Sequence, residues 1–183
     1  MNVKVKICGI KDETALDAAL EAGADMIGLV FFPPSPRHLT CEAAAPLAAR
    51  ARGIASVVAL TVDADDALLD EIVAAARPDI LQLHGKETPE RVAEVRERYA
   101  LPVMKAIAVA TADDALRAFD YAAADLILFD AKPLPGAAAP GGNGLTFDWT
   151  ALAATGDRVP YMLSGGLPPD NVAAAVKLTG ARM

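Results

Sequence analysis

The 183-residue chain lacks several features that mark whole classes of protein. It has two cysteines, Cys8 and Cys41, too few for a disulfide scaffold, and both thiols are expected to stay reduced in a cytoplasm. It has 17 Lys and Arg against 24 Asp and Glu, a formal charge of -7. With no basic stripe, most of such a surface repels nucleic acid and anionic lipid, so no nucleic-acid partner is expected and any anionic ligand must be held by local groups. No apolar run is long enough to cross a bilayer, and Met1 to Asp12 does not read as a secretion signal, so a cytoplasmic location is expected and no membrane. There are only two histidines, His38 and His84, and no cluster of His, Cys and Asp at ligand spacing, so no metal is expected. No G-x-G-x-x-G follows the first apolar run, which argues against a dinucleotide-binding open sheet.

What is there is a globular composition, 54% hydrophobic and 22% charged. Short runs rich in Val, Ile and Leu begin near Val3, Met26, Ser56, Asp79, Pro102, Asp125 and Val159, at intervals of 23, 30, 23, 23, 23 and 34 residues. One strand and one helix per interval is the mark of a parallel βα repeat. Helices are expected over Asp12 to Glu21, Glu42 to Ala51, Ala64 to Ala76, Pro89 to Tyr99, Ala112 to Ala122, Trp149 to Ala154 and Pro169 to Leu178. Thr40, Thr88 and Thr111 stand where N-caps belong, and Gly23 and Gly180 where left-handed stops belong. The triplet Ala22-Gly23-Ala24 and the pair Tyr121-Ala122 each lead into an Asp that opens the next strand.

Lys132 to Leu145 breaks the repeat with a Pro- and Gly-rich stretch too long for a routine turn. It reads as a domain linker or a functional loop. The strands resume after it without a change of composition, which favours a loop inside one domain. Seven strand signals, with the sequence stopping where an eighth unit would begin, predict a single α/β domain over 1–183: a (βα)8 TIM barrel whose last βα unit is missing from this sequence.

Strand alternation then picks out candidates. In Val3-Lys4-Val5-Lys6-Ile7-Cys8 the odd, apolar positions should face helices and Lys4, Lys6 and Cys8 the barrel interior. Cys8 falls at the C-terminal strand end, where barrel enzymes keep their active groups, and reads either as a small buried hydrophobe or as a reactive thiol. Asp130 ends the sixth strand, as a loop cap or as a proton donor, since a carboxyl partly withdrawn from water can protonate a substrate near neutrality. His84 ends the fourth strand with Gln82 and Ile80 beneath it, as a structural residue or a site residue. Ser164-Gly165-Gly166-Leu167 runs into a helix start and lines up backbone N–H groups suited to phosphate, and Gly141-Gly142-Asn143-Gly144 supplies a second approach; either is otherwise a flexible turn. Arg37 sits on a loop stiffened by Pro33, Pro34 and Pro36, where a fixed guanidinium would suit a ligand carboxylate. Cys41, beside a helix start, reads as structural.

In order along the chain, Lys6-Ile7-Cys8-Gly9-Ile10, Gly28-Leu29-Val30-Phe31 with Ser35-Pro36-Arg37, Leu81-Gln82-Leu83-His84-Gly85, Phe129-Asp130, Gly141-Gly142-Asn143-Gly144 before Phe147-Asp148-Trp149, and Leu163-Ser164-Gly165-Gly166-Leu167 resemble the phosphoribosylanthranilate isomerases of tryptophan biosynthesis. The resemblance covers essentially the whole chain. It implies a (βα)8 barrel and a cofactor-free Amadori rearrangement of N-(5-phosphoribosyl)anthranilate, a small phosphosugar, by a monomer or homodimer. It implies Asp130 as the acid that opens the ribose ring and Cys8 as the base at the sugar C2. It further implies Arg37 and His84 as substrate contacts, and Gly142, Gly144, Ser164, Gly165 and Gly166 around the phosphate.

Two departures stand out: Asn143 where the family usually has Thr, and the absence of the family's eighth strand with its Asp, its Ser-Ser-Gly turn and its final helix. A longer chain of somewhat over 200 residues is therefore expected. The related isomerase of histidine biosynthesis uses a carboxylate where this chain has Cys8, and metal-dependent epimerases would want His and Asp ligands that are lacking. The remaining rival is a barrel that only binds ligand or a partner. Lys6, about 6.5 Å from Cys8 along an ideal strand, would favour the thiolate.

Overall fold

A computed structural model describes residues 3–134, 136, 140–142 and 144–183. Among them are seven strands and six α-helices: β1 (Lys6–Cys8), α1 (Glu13–Glu21), β2 (Met26–Phe31), α2 (Cys41–Ala51), β3 (Ser56–Thr61), α3 (Asp66–Ala76), β4 (Ile80–Leu83), α4 (Pro89–Tyr99), β5 (Val103–Val109), α5 (Ala112–Leu116), β6 (Leu126–Ala131), β7 (Tyr161–Leu163) and α6 (Val172–Thr179). The contacts gather into two compact units, Lys4–Glu87 and Thr88–Met183. In the first unit β1, β2, β3 and β4 pair in sequence order, all parallel. In the second, β5, β6 and β7 do the same. None of the described helices is long and apolar enough to cross a membrane.

The helices begin where local chemistry starts them. Thr40 and Thr88 each accept a backbone N–H three residues on, from Ala43 and Arg91, both at 3.3 Å. Thr111 accepts from Asp114 N–H while the Asp114 carboxylate accepts from Thr111 N–H, a reciprocal capping box. Each such cap contributes about 1 kcal/mol.

Three helical segments differ from expectation. The helix expected over Ala112 to Ala122 is α-helical only to Leu116 and then tightens into a 3-10 turn, Arg117–Asp120, closed by Tyr121 N–H on Ala118 C=O at 3.2 Å. Trp149–Ala154 is also 3-10, begun by Asp148, which accepts from Thr150 N–H (3.0 Å) and Thr150 Oγ1 (2.7 Å). The last helix starts at Val172 rather than Pro169, because Pro168 C=O takes the N–H groups of Asn171 and Val172 to form a preceding turn, both at 3.2 Å. Over one or two turns, apolar spacing does not separate three residues per turn from 3.6.

A repeated clip sets the strands in register. Asp25, Asp79 and Asp125 stand immediately before β2, β4 and β6. Their N–H groups donate to the carbonyls of Val5, Val57 and Val103 at 2.9, 2.8 and 2.9 Å. Their carboxylates accept the N–H of those same valines at 2.8, 2.7 and 2.9 Å. Each clip thus joins an odd strand to the even strand after it, fixing which residues lie side by side: Lys6 beside Met26, Val58 beside Ile80, Met104 beside Leu126. A slip of one residue would turn every side chain to the wrong face.

The alternation on β1 places Lys6 and Cys8 on one face, as expected. The other face is not covered: Val5 and Ile7 are 46% and 41% exposed. Elsewhere apolar strand residues are closed in, with Ile27, Leu29, Leu81 and Phe129 fully buried.

Asp125 carries the clearest electrostatic signature of the clip. Burial works against its charge, but a two-point bond from the Arg96 guanidinium (3.0 and 2.8 Å) and the Val103 N–H outweigh it and hold the carboxyl below the usual range. A depressed acid contributes stability that is present above its unfolded value and lost as pH falls through its folded value. Asp125→Ala is expected to cost about 1–3 kcal/mol in urea unfolding at neutral pH, against about 1 kcal/mol or less for Arg96→Ala, whose half-exposed ion pair is screened. The Asp125 deficit should shrink below roughly pH 4; equal deficits at pH 7 and pH 3 would show that the carboxylate is not the clip.

Candidate active site

Within Lys4–Glu87, Cys8 is the last residue of β1 and pairs with Gly28 on β2. A Cβ on Gly28 would stand 2.8 Å from Cys8 Sγ, 3.2 Å from Cys8 Cα and 3.2 Å from Lys6 Nζ. The missing side chain is what lets the sulfur and the ammonium approach the same point, and they lie no more than 6.0 Å apart, the sum of those two distances. The thiol is half-buried. Cys41, by contrast, is pushed up by burial and by the Glu71 and Glu42 carboxylates, which keeps it a thiol at neutral pH.

The same unit brings Arg37 to Cys8's neighbour. Its side chain lies across Gly9, where a Cβ would meet Arg37 Cδ at 2.5 Å, and Gly9 N–H is anchored to Gly28 C=O at 2.8 Å. The loop holding Arg37 is turned by the buried Ser35, whose hydroxyl accepts Arg37 N–H at 3.2 Å and whose carbonyl accepts His38 N–H at 3.0 Å. The Arg37 guanidinium makes no ion pair among the described residues, so its charge is available to an anion.

His84 follows β4, its N–H bonded to Thr61 C=O at 2.8 Å and its Nδ1 at 2.8 Å from Gln82 Nε2. The next three residues are wound tight by two carboxylates. Glu87, buried, accepts Asp63 N–H at 2.9 Å and Gly85 N–H at 2.9 and 3.1 Å, while Asp63 accepts Lys86 N–H at 2.6 Å. A Cβ on Gly85 would lie 2.6 Å from Asp63 N, so no larger residue fits this clamp. Gly28, Asp63 and Glu87 were missed as functional residues; the one signal was their place beside motif residues.

Within Thr88–Met183, Asp130 is 5% exposed near the end of β6, and its Oδ1 accepts Ala131 N–H at 3.0 Å. Gly165 packs onto this pair: a Cβ there would be 2.6 Å from Ala131 N and 3.1 Å from Asp130 Oδ1, and its φ of 89° also favours glycine. Gly166 backs onto Leu145 and Thr146, where a Cβ would be 2.7 Å from each. The Ser164 N–H is tied to Phe129 C=O at 2.8 Å, and Asn171 Nδ2 donates to Gly166 C=O at 2.9 Å. The turn after β7 is thereby brought together with Asp130 on one side and, on the other, the segment that follows the exposed Gly142 and Gly144. Asn143 lies outside the described residues. Among the described residues no group of three or more His, Cys, Asp and Glu could hold a metal ion.

Parallel βα units with a thiol, an acid, an arginine and a glycine turn at their strand ends define a chain of the (βα)8-barrel class. Three comparisons bear on its kind. The sequence pattern of the family described as N-(5'phosphoribosyl)anthranilate (PRA) isomerase matches residues 5–183. An N-(5'-phosphoribosyl)anthranilate isomerase of Rhodopseudomonas palustris (strain BisA53) is 59% identical over 182 residues, which span 99% of this chain and 84% of that one. The phosphoribosyl anthranilate isomerase of Thermotoga maritima superposes with a TM-score of 0.86 at 32% identity, over 98% of this chain and 84% of that one. A further isomerase structure, in complex with reduced 1-(o-carboxyphenylamino)-1-deoxyribulose 5-phosphate, gives 0.84 at 30% identity with the same coverage. The chain belongs to the phosphoribosylanthranilate isomerase family, and its fold is that family's α/β barrel, described here through seven strands.

The Gly28 approach is open to test. In Gly28→Ala the new methyl meets Cys8 Cα as well as the sulfur, so backbone must move, at a cost of about 1–3 kcal/mol. Alkylation of Cys8 by iodoacetamide, read by peptide mass, should slow several-fold, with Cys41 unchanged. Equal Cys8 rates in both proteins would show that the glycine does not shape the thiol's surroundings.

Proposed function

We propose that this chain catalyses the Amadori rearrangement of N-(5-phosphoribosyl)anthranilate to 1-(o-carboxyphenylamino)-1-deoxyribulose 5-phosphate, with Asp130 as general acid and Cys8 as general base. The observation that carries the reading is the pair of strand ends: a half-buried thiol with an ammonium within 6.0 Å at the end of β1, and a nearly buried carboxyl near the end of β6. Asp130 protonates the ribose ring oxygen, and the ring opens to a Schiff base as the nitrogen lone pair moves in. The Cys8 thiolate then removes the proton from the sugar C2, giving an enolamine. Protonation at C1 and loss of the hydroxyl proton at C2 complete the ketone.

One hydrogen leaves C2 and another arrives at C1, so the reaction needs no oxidant or reductant and the reading needs no cofactor. The free guanidinium of Arg37 suits the anthranilate carboxylate. Ser164, Gly165 and Gly166, with Gly142 and Gly144, suit the phosphate through backbone N–H groups, and His84 contacts the substrate from the end of β4. The reading takes the two compact units as one barrel domain, with their strand ends turned to one substrate. The enzyme works in the cytoplasm, where Cys8 stays reduced.

Loss of the substrate's anthranilate fluorescence follows turnover. Cys8→Ser and Asp130→Asn should each lower kcat about 10²–10⁴-fold, with KM changed far less. Full turnover by both variants would remove the assignment of base and acid. Lys6→Met should move the base limb of the kcat/KM profile to higher pH, because a nearby cation favours the thiolate; an unmoved limb would take Lys6 out of the mechanism.

A further inference from the structure

Gln82 is a polar side chain that the proposed reaction does not use, yet it is 1% exposed in the middle of β4. Burying an amide is costly unless its hydrogen bonds are made. One bond is made: Gln82 Nε2 stands 2.8 Å from His84 Nδ1. The other end of the amide, Oε1, is buried with no partner. Which end faces the ring follows from what each arrangement leaves unpaired. As it stands, a single carbonyl oxygen is orphaned. Turned over, an NH2 group with two donors would occupy that same partnerless place, and orphaned buried N–H groups are rarer in proteins than orphaned carbonyls.

We infer that Gln82 is a positioning residue that donates to His84 Nδ1 and so locks the imidazole as its Nε2–H tautomer. An amide N–H cannot donate to a ring nitrogen that already carries a proton, so the ring's one proton sits on Nε2, the nitrogen turned away from Gln82. His84 then meets its ligand as a neutral donor. The backbone agrees with this role: His84 N–H is held by Thr61 C=O, and the Glu87 carboxylate fixes Gly85 directly behind it, so the ring has little freedom to choose another partner. This inference rests on the isomerase reading for what His84 contacts, but not for the state of its ring.

The test separates the two. The chain has only two histidines, so ¹⁵N-histidine labelling gives two imidazoles, and His84→Asn identifies the second. At about pH 8, above the ordinary imidazole range, wild-type His84 should show an unprotonated, pyridine-type Nδ1 and a protonated Nε2. In Gln82→Glu the carboxylate can only accept, so the pattern should reverse, with the proton on Nδ1, and kcat/KM should fall by roughly tenfold, the worth of one donated hydrogen bond. Gln82→Met, which keeps the volume and removes the donor, covers the case in which a buried glutamate does not fold; it should show a mixture of the two tautomers. A protonated Nδ1 in the wild type, or a single unchanged tautomer in every folded variant, would overturn the inference. A protein that turns over no substrate while giving the expected spectra would overturn the isomerase reading alone.

Discussion

A parallel strand cannot turn back on its neighbour, so the chain must cross the sheet and begin again at the same edge. Every strand of a unit therefore ends on one side, and so do the side chains that follow it. This constraint places Cys8, Arg37 and His84 along one edge of Lys4–Glu87, and Asp130 and the glycine turn along one edge of Thr88–Met183. The valine–aspartate clips hold it in register from the opposite ends of the strands. Chemistry at one edge and register control at the other are separate jobs in separate residues. Substitution at the catalytic edge is thus largely free of the cost of misaligning the sheet.

At the catalytic edge, the recurring device is a glycine that lets one element come close enough to orient another. Gly28 opens the space used by Cys8 and Lys6, Gly9 lets Arg37 lie across the backbone, Gly85 admits the Asp63 clamp, and Gly165 presses against Asp130. In each case a methyl group would fall inside contact distance of a neighbour that has nowhere to go. Such close packing fixes functional groups without adding polar side chains that would themselves need partners. Where polar partners are used, as by Glu87 on Gly85, they satisfy backbone groups rather than reaching for ligand.

Much of this was legible in the sequence, and the residues that were not share a reason. Thr40, Thr88 and Thr111 announce helix starts because a cap is a contact over three residues. The strands show because a βα repeat leaves its period in the apolar residues. Cys8, Asp130 and His84 stand out because alternation and strand ends are local properties, and the ordered motifs pointed to the family to which the chain belongs. The extent of α5 and the 3-10 form of Trp149–Ala154 did not show, since their apolar spacing fits either helix type. Val5 and Ile7 read as buried because alternation reveals a face but not what covers it. Gly28, Asp63 and Glu87 act through distances across strands and loops, which no stretch of one strand contains.

The account turns on one geometric claim: that the thiol at the end of β1 and the carboxyl near the end of β6 serve the same sugar. The most direct measurement is a crystal structure of the chain with reduced 1-(o-carboxyphenylamino)-1-deoxyribulose 5-phosphate. The account predicts Cys8 Sγ beside the sugar C2 and an Asp130 oxygen beside the oxygen that closes the ring in the substrate, each at about 3 to 3.5 Å. A complex in which either group lies beyond reach of the sugar, with no water between, would contradict it.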